Sequence, residues 1–580
     1  MSRSSPDWTP AGNADDAADP WPDLAERLVL AALFAVALAL RLYYVFHHDF
    51  DSDEWQHLHV VWAWTRGLLQ YRDVFDNHMP LFHMLSAPLL ARIGETPAIL
   101  YDMRLAMIPF VLVIVWGTYL IGRRLLGRRA GLRAAALLGL IPNFLGRSIE
   151  YRPDILQTMF WILALSVLLG GRIHWRRCLA SGLLLGLAAG SSLKSILLLA
   201  ALGIAALALP LAIGRRPAPV PPLRKIACIS AGLAGLVIPP VALALHFHIH
   251  GALRHFLYGT VLHNYVPHLG TWSRPLRALL FVPALVLVIV FARWLARTAR
   301  RPEDGTRFVF LALVAGSFFA ALHLLWPLFT TYDLLPFYPL LALLVVGTAS
   351  RFPRTRAVPF PGPSPWRRAV PAAVLLSLTG LIEIGWVMWR EPPGHDGTRR
   401  EVELLTQVLR LTDPGDSVLD MKGESVFRPR PIYSVLEGIT RARMQEGSIV
   451  EPIEERVIAT RTCLAAAKID RFPEPTRRFI ERNYLLVGEV RVAGRNLPRS
   501  ADARGRIGFD IEIPAEYAVM TRKGPAAGLL DGEPYVGPRF LEAGRHAFTP
   551  AAPESRHALV WARAIERGCW PSCDHTALTP

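Results

Sequence analysis

The sequence predicts a polytopic α-helical membrane protein that ends in an extracytoplasmic α/β domain. The 580-residue chain is 52% hydrophobic. Its apolar residues come in blocks of about twenty, the length that a helix needs to cross the bilayer core. Residues 391–580 are richer in charge and proline and contain short alternating runs, which is typical of a soluble domain. The distribution of basic residues then predicts which side of the membrane each end of the chain occupies.

We predict eleven spans, which together form a membrane module over residues 24–390. The run over residues 178–213 is too long for one crossing and is interrupted by "AGSSLKS", so we divide it into two helices. The predicted spans lie near residues 24–46, 100–122, 131–147, 154–171, 178–191, 194–213, 226–246, 276–297, 308–329, 333–350 and 369–389.

Positive charge is distributed unequally between the two sets of connections. Those on the side of the N-terminus carry 22 Lys and Arg residues, and those on the opposite side carry six. The positive-inside rule therefore places the N-terminus in the cytoplasm of a bacterial inner membrane and residues 391–580 outside. The net charge of +16 is then an orientation signal, and we expect no nucleic-acid partner.

The two ends of the chain differ in character. Residues 1–23 are acidic and predict a disordered cytoplasmic tail, without the basic region of a signal peptide. In the C-terminal domain, "REVELLTQVLRL" predicts an amphipathic helix and "IGFDIEI" a half-buried strand. This domain carries no recognisable catalytic motif, so acceptor binding and a role as a lid or partner-binding domain both stay open.

Polar residues gather on the predicted outer face of the module. The large first periplasmic loop, residues 47–99, contains an unusual density of carboxylates and histidines. Further polar residues fall at or near the same face in other connections, which predicts a functional site there. The residues of interest are Asp53, Glu54, Trp55, Asp76, His78, Arg152, Asp154, Lys194, His263 and Tyr332.

A polar face of this kind suits transfer of a sugar from a polyprenyl phosphate. The lipid tail lies in the bilayer, the phosphate lies at the interface, and the acceptor hydroxyl arrives from water. A carboxylate at the interface can take the proton of that hydroxyl as the new bond forms. The phosphate leaving group needs no acid, only cations or hydrogen-bond donors that stabilise its charge.

Several motifs resemble those of one family. "FDSDEW" followed by "YRDVFDNHMPLFHML" is similar to the first periplasmic loop of the protein-mannosyltransferase and lipid A aminoarabinose transferase group. This group is glycosyltransferase family 39-like and lies in the glycosyltransferase C superfamily. "GLAAGSSLKS" and "YDLLPFYPLLALL" resemble later family segments, so the resemblance covers roughly residues 24–350. The family's lysine before Pro-Pro-Leu is missing here, where Asp76, Asn77 and His78 stand.

The resemblance implies roles for individual residues. Asp53 matches the proposed catalytic base, and Glu54 lies beside it. Lys194 ends the glycine-rich segment that resembles the family's, and we expect it to contact the donor phosphate. From their charge and their place on the outer face, rather than from the resemblance, we also expect Arg152 and His78 to contact the donor phosphate. Asp76, His78 and His263 are candidate ligands of a divalent metal ion. His246, His248, His250 and His255 lie near His263 in the sequence and have an equal chemical claim. Trp55, Asp154 and Tyr332 are candidate substrate contacts.

Each of these residues also has an ordinary structural interpretation. Asp53 and Glu54 suit the first turn of a helix, and Arg152 suits a helix start at the interface. Burying a lysine within an apolar run costs free energy, unless Lys194 lies at a turn. Trp55 and Tyr332 suit an interfacial aromatic belt, and Asp76 and His78 suit a solvated loop.

The predicted function is that of an inverting glycosyltransferase that moves a sugar from a polyprenyl-phosphate donor to an acceptor hydroxyl outside the membrane. A multi-span lipid or glycan flippase without transferase activity is the alternative, and a membrane anchor for a binding domain is a third interpretation. The sequence identifies neither the sugar nor the acceptor, which can be protein, lipid or glycan.

Overall fold

The computed structural model of the chain describes residues 21–214, 221–298, 302–350, 366–498, 505–522, 524–551 and 556–568. The predicted acidic tail, apart from residues 21–23, lies outside them. Within the described residues, the α-helices and β-strands are numbered in chain order.

The N-terminal two thirds of the chain is helical. The helices are α1 (Leu24–Val45), α2 (Ser52–Thr65), α3 (Leu81–Ile93), α4 (Ile99–Leu105), α5 (Ile108–Leu126), α6 (Arg128–Leu140), α7 (Pro142–Arg147), α8 (Pro153–Leu169), α9 (Trp175–Ser191), α10 (Ser195–Ile213), α11 (Pro222–Ile249), α12 (Leu253–Leu257), α13 (Phe281–Thr298), α14 (Pro302–Leu324), α15 (Tyr338–Ala349) and α16 (Trp366–Arg390). A short 3₁₀ turn, Thr331–Leu334, precedes α15.

The remainder mixes helices with strands. The helices are α17 (Arg399–Leu411), α18 (Gly438–Gln445), α19 (Ile453–Ala459), α20 (Glu474–Asn483) and α21 (Ala562–Glu566). The strands are β1 (Val418–Leu419), β2 (Leu464–Ala466), β3 (Tyr484–Val487), β4 (Val490–Asn496), β5 (Ile507–Ile511), β6 (Ala515–Thr521), β7 (Gly524–Pro525), β8 (Gly528–Leu530), β9 (Glu533–Tyr535), β10 (Arg539–Leu541), β11 (Gly544–Pro550) and β12 (Ala558–Trp561).

The strands form two sheets. The larger follows the order β1-β2-β4-β12-β6-β10, with β3 paired to β4 and β7 paired to β6, and the smaller follows β5-β11-β8-β9. Only the β1–β2 pair is parallel among the strand pairs of the described residues, with Val418 opposite Leu464. The predicted soluble α/β region therefore contains mainly antiparallel sheet.

The chain divides into two compact units. The first, the membrane unit, comprises Met1–Phe46, Arg104–His246 and Val266–His395. The second, the loop-and-sheet unit, comprises His47–Met103, Phe247–Tyr265 and Asp396–Pro580. The first predicted loop thus clusters with the C-terminal residues. The boundaries 1–23, 24–390 and 391–580 remain a prediction about domains.

Six helical segments among the described residues are long and apolar enough to cross a membrane: Leu24–Val45, Ile99–Leu126, Ser195–Ile213, Pro222–Ile249, Pro275–Arg297 and Gly305–Leu324. The helices α3, α8 and α15 are apolar but shorter. The chain is therefore a multi-pass membrane protein, while the count of eleven spans and the orientation stay predictions. The run over residues 178–213 is divided as expected, since α9 ends at Ser191 and α10 begins at Ser195.

Packing in the membrane unit depends on small residues at helix crossings. A Cβ atom added to Gly122 of α5 would lie 2.7 Å from the Cα atom of Gly131 in α6. Such contacts let helix backbones approach closely, which is the usual source of helix association in lipid. In α11 and α13, by contrast, most apolar side chains are exposed or partly exposed, as a surface facing lipid requires.

The core of the loop-and-sheet unit lies between its sheets and helices. In β5 the predicted alternation is confirmed, because Ile507, Phe509 and Ile511 are buried while the residues between them are exposed. The amphipathic helix predicted from "REVELLTQVLRL" is α17, which buries Leu405 and Val408. The sequence pattern therefore identified both the strand and the helix.

Replacing Ile480 by Ala tests this core. Ile480 lies on α20 and is fully buried, so we expect the Ile480→Ala variant to lose about 2–5 kcal/mol of stability through the cavity that forms. Thermal melting of the full chain in detergent, followed by limited proteolysis at residues 396–568, measures this loss. Arg478→Ala on the same helix is the control, because that side chain is 70% exposed. Equal melting of both variants would contradict the described core.

Candidate active site

Asp53 lies in the first turn of α2, within the loop-and-sheet unit. The helix begins with a capping box. The Asp51 carboxylate accepts a hydrogen bond from the Asp53 backbone N–H at 2.9 Å, and the Glu54 carboxylate accepts one from the Asp51 N–H at 2.9 Å. The capping interpretation thus describes Asp51 and Glu54. The carboxylate of Asp53 is not part of the box and lies where a helix N-terminus favours negative charge.

Lys422, from the C-terminal part of the same unit, contacts Asp53. Its Nζ donates to Oδ1 of Asp53 in a short ion pair and lies 3.3 Å from the Ser52 hydroxyl. The side chains are 5% exposed for Lys422 and 15% exposed for Asp53, so both charges are largely removed from water. Sequence reasoning missed Lys422, because one lysine in a polar domain gives no signal of a distant partner.

The segment that carries Lys422, residues 420–430, is held by Asp420. This carboxylate accepts hydrogen bonds from the backbone N–H groups of Gly423 at 2.8 Å and Ser425 at 2.9 Å. It also accepts one from Nε of Arg430 at 2.7 Å. Burial alone would raise the pKa of Asp420, but Arg430 and His59 outweigh it and lower that pKa. The segment is therefore organised around an ionised, buried carboxylate.

This segment packs directly on α2. Gly423 has φ +92°, and a Cβ atom there would lie 2.8 Å from the Cβ of His59, so the backbone approaches the helix closely. Nδ1 of His59 donates to the Val426 carbonyl at 3.0 Å. Burial lowers the pKa of His59 to about 4, so its ring is neutral at neutral pH. The fit of Gly423 and His59 fixes where Lys422 meets the helix.

Asp76 occupies a second polar cluster in the same unit, which holds the first loop together. The carboxylate is buried, 1% exposed, and each of its oxygens accepts hydrogen bonds. The donors to Oδ1 are Gln56 at 2.8 Å, the Asn77 N–H at 2.9 Å and His78 Nδ1 at 2.9 Å, and the donor to Oδ2 is Gln70 at 2.6 Å.

Histidines beside Asp76 affect the ionisation of its carboxyl group. Burial alone would raise the pKa of Asp76, but the imidazoles of His78 and His83 outweigh it and lower that pKa. Burial lowers the pKa of His83 to about 4, and its Nε2 lies 2.9 Å from Nδ1 of His57. Asp76 is therefore ionised and well supplied with donors, an arrangement that stabilises a loop.

His263 pairs with Glu437 and not with Asp76 or His78, the other predicted metal ligands. Its Nε2 lies 3.1 Å from the Glu437 carboxylate, which also caps the N-terminus of α18. The structure brings His78 to Asp76 but pairs His263 with Glu437. Among the described residues, no three His, Cys, Asp or Glu side chains come together as a metal ligand set. The residues do not form a ready site, and the metal ion remains a prediction.

A third cluster, the Lys194 cluster, lies in the membrane unit. It consists of Arg152, Asp154, Lys194, Tyr332 and Asp333. Arg152 precedes α8, Lys194 precedes α10, and the 3₁₀ turn before α15 carries Tyr332 and Asp333. Nζ of Lys194 lies 2.9 Å from Asp154 and 2.5 Å from Asp333. Three connections between helices thus bring four of the predicted residues and Asp333 together.

Two cations share one aromatic ring in the Lys194 cluster. The Arg152 guanidinium carbon lies 3.6 Å from the centroid of the Tyr332 ring, and Nζ of Lys194 lies 4.4 Å from it. Arg152 is 1% exposed, and its Nε lies 3.5 Å from Asp154. The Lys194 side chain keeps 24% exposure. Lys194 therefore remains accessible to an anion, although it is already paired with carboxylates.

Trp55 is buried in the loop-and-sheet unit, with 3% exposure. Its ring centroid lies 5.9 Å from that of Phe50. It also borders a cavity of about 350 Å³, which is lined by Asp51, Ser52 and C-terminal residues that include Glu424 and Ala466. Contact between Trp55 and a sugar stays a prediction.

A family model described as dolichyl-phosphate-mannose-protein mannosyltransferase matches residues 80–241. This range includes Arg152, Asp154 and Lys194 and begins after Asp53 and His78. The comparison with curated proteins gives no match.

Two solved structures of one protein are similar to the chain. ArnT from Cupriavidus metallidurans in the apo state is 14% identical, with a TM-score of 0.53, over 80% of this chain and 97% of that chain. ArnT bound to undecaprenyl phosphate gives a TM-score of 0.54 at the same identity and coverage. The likeness shows a shared fold. The family match confirms the predicted resemblance to the protein-mannosyltransferase group over residues 80–241.

Proposed function

We propose that this protein is an inverting glycosyltransferase that moves a sugar from a polyprenyl phosphate to an acceptor hydroxyl outside a bacterial inner membrane. The observation that carries the proposal is Asp53, a carboxylate in the first turn of α2 that lies outside the capping box and pairs with Lys422. The family match over residues 80–241 and the fold of ArnT support glycosyl transfer as the reaction class.

Asp53 acts as the general base in this proposal. It accepts the proton of the acceptor hydroxyl while the oxygen bonds to the anomeric carbon and the bond from that carbon to the phosphate oxygen breaks. An ionised carboxylate is required at the outset, and the helix N-terminus and the Lys422 ammonium both favour ionisation. Glu54 supports the geometry by closing the capping box around Asp51.

Arg152 and Lys194 stabilise the phosphate that leaves. The negative charge developing on this group needs cations or donors, and the Lys194 ammonium is partly exposed. Asp154 and Asp333 hold that ammonium, and Tyr332 packs against both cations. His78 is a further predicted phosphate contact. Asp76, His78 and His263 are the predicted ligands of a divalent ion. The proposed reaction does not require this ion.

The acceptor is proposed to approach through the cavity beside Trp55. This cavity has a volume of about 350 Å³ and is lined by Asp51, Ser52, Trp55 and residues of the C-terminal region, so it borders the helix turn that carries Asp53. A pocket of that size accommodates about one sugar ring or one side chain with its flanking groups. Residues 391–580 then take part in acceptor binding.

Replacing Asp53 by Asn tests the base. The amide keeps the shape of the side chain but accepts no proton, so we expect transfer to fall about 100-fold or more. Lipid mass spectrometry of membranes that contain the variant should show a sugar-loaded polyprenyl phosphate accumulating, and an acceptor should lose one fixed sugar mass.

The control for this change is Asp413→Asn, since Asp413 is 56% exposed and lies in the same unit. It should leave the lipid profile as in the wild type. If a stable Asp53→Asn protein gave the wild-type profile, Asp53 would be only a first-turn residue. Release of free polyprenyl phosphate by the purified wild-type protein separates a transferase from a flippase, which releases none.

Replacing Lys194 by Gln tests the phosphate contact. We expect undecaprenyl phosphate to bind about tenfold more weakly, because one charged hydrogen bond to the phosphate is lost. Native mass spectrometry in detergent measures this affinity. Lys194→Arg should keep most of it, and Arg176→Gln, at an exposed position, should change nothing. Equal affinity of the Gln variant and the wild type would remove Lys194 from the phosphate site.

A further inference from the structure

We propose that Lys422, a residue of the C-terminal region, is a positioning residue for Asp53. Its ammonium group keeps the Asp53 carboxylate ionised and fixes the orientation of that carboxylate through Oδ1. The inference rests on the proposed function for its catalytic meaning. The ion pair itself is a property of the structure that is tested separately.

The contact is directional as well as electrostatic. Nζ of Lys422 meets Oδ1 of Asp53 and also lies 3.3 Å from the Ser52 hydroxyl. An ammonium held at two neighbouring oxygens fixes the rotation of the carboxylate about its Cβ–Cγ bond. A general base needs this restriction, because proton transfer depends on a short, aligned contact with the hydroxyl.

The lysine is delivered by a fixed segment. Residues 420–430 are held by the hydrogen bonds of Asp420 to Gly423 and Ser425, and Gly423 packs on α2 where a side chain would collide with His59. A lysine that is only 5% exposed costs free energy unless it is paired with an opposite charge. The structure therefore brings Lys422 to Asp53 by specific backbone packing.

Other ionisable groups lie on the two segments that carry Asp53 and Lys422, and they bear on the ionisation of Asp53. Asp51 and Glu54 lie on the same helix turn as Asp53. On the 420–430 segment, Glu424 accepts the Lys422 backbone N–H at 2.6 Å, and burial together with Asp420 raises the pKa of Glu424. Asp420 is itself offset by Arg430 and lies near His59. Of these groups, Asp51 and Glu54 share the helix turn of Asp53 and disfavour a charge on it, and the ammonium of Lys422 opposes that effect.

Carbodiimide labelling of Asp53 measures its ionisation directly, because the reagent reacts with protonated carboxyl groups. The purified full chain in detergent is labelled across a pH series, and the extent at Asp53 is read by peptide mass spectrometry. In the wild type, we expect the adjacent ammonium to keep the pH midpoint of labelling at Asp53 low. In Lys422→Met and in Lys422→Gln we expect the midpoint to rise by roughly one to three pH units, since an adjacent cation depresses a carboxyl pKa by that amount.

Matched variants separate charge from folding. Lys422→Arg keeps the charge and should keep the wild-type midpoint, and Arg478→Met removes one exposed positive charge and should also leave it unchanged. The Gln variant retains a hydrogen-bond donor, so a rise there reports the lost charge. An unchanged midpoint in both the Met and Gln variants overturns the proposal, as does an equal rise in Lys422→Arg.

Activity distinguishes this inference from the proposed function. The sugar-loaded lipid extracted from Asp53→Asn membranes serves as donor, and release of polyprenyl phosphate is followed against pH. Lys422→Met should lose activity at acid pH and recover as the pH rises through the raised pKa, because Asp53 is then deprotonated. A labelling shift without turnover by the wild type would support the ion pair and reject the transferase function. Coincident acid limbs for wild type and Lys422→Met would reject the positioning role.

Discussion

The free-energy cost of holding a charge away from water governs the polar interior of both units. A buried ion is tolerated only when opposite charges or several donors surround it. Asp420 meets this requirement with Arg430 and two backbone N–H groups, and Lys194 meets it with Asp154 and Asp333. The Asp420 contacts lie within one segment of about ten residues, whereas the Lys194 pairs join segments that are distant in sequence. Charge compensation therefore shapes a single loop in the first case and fixes where separate loops meet in the second.

The same requirement separates structural carboxylates from a candidate base. Asp76 accepts hydrogen bonds from two Gln side chains, a backbone N–H and His78, and accepting a proton from a substrate would disrupt them. Glu54 is committed to the capping box. Asp53 differs because its carboxylate is outside the capping box and contacts the Lys422 ammonium through Oδ1. Chemistry therefore favours Asp53 among the carboxylates of the first loop.

Local pattern predicted much of this structure from the sequence. The period of apolar residues identified α17 and β5, and "AGSSLKS" located the break before α10. The acidic pair at Asp53 and Glu54 was recognised together with its capping alternative. Lys422 and Glu437 were not predicted as site residues, because their contacts with Asp53 and His263 span 369 and 174 residues. Neither the period nor the spacing of residues reports contacts at such separations.

The dependence of Asp53 on residues 420–430 has a consequence for folding and activity. The first loop is synthesised long before Lys422, so α2 can form its capping box locally while the ammonium arrives only when the later segment folds. Until then, Asp53 lies beside Asp51 and Glu54 without its positive partner, and like charges raise the pKa of a carboxyl group. The C-terminal region therefore supplies the charge that prepares the proposed base.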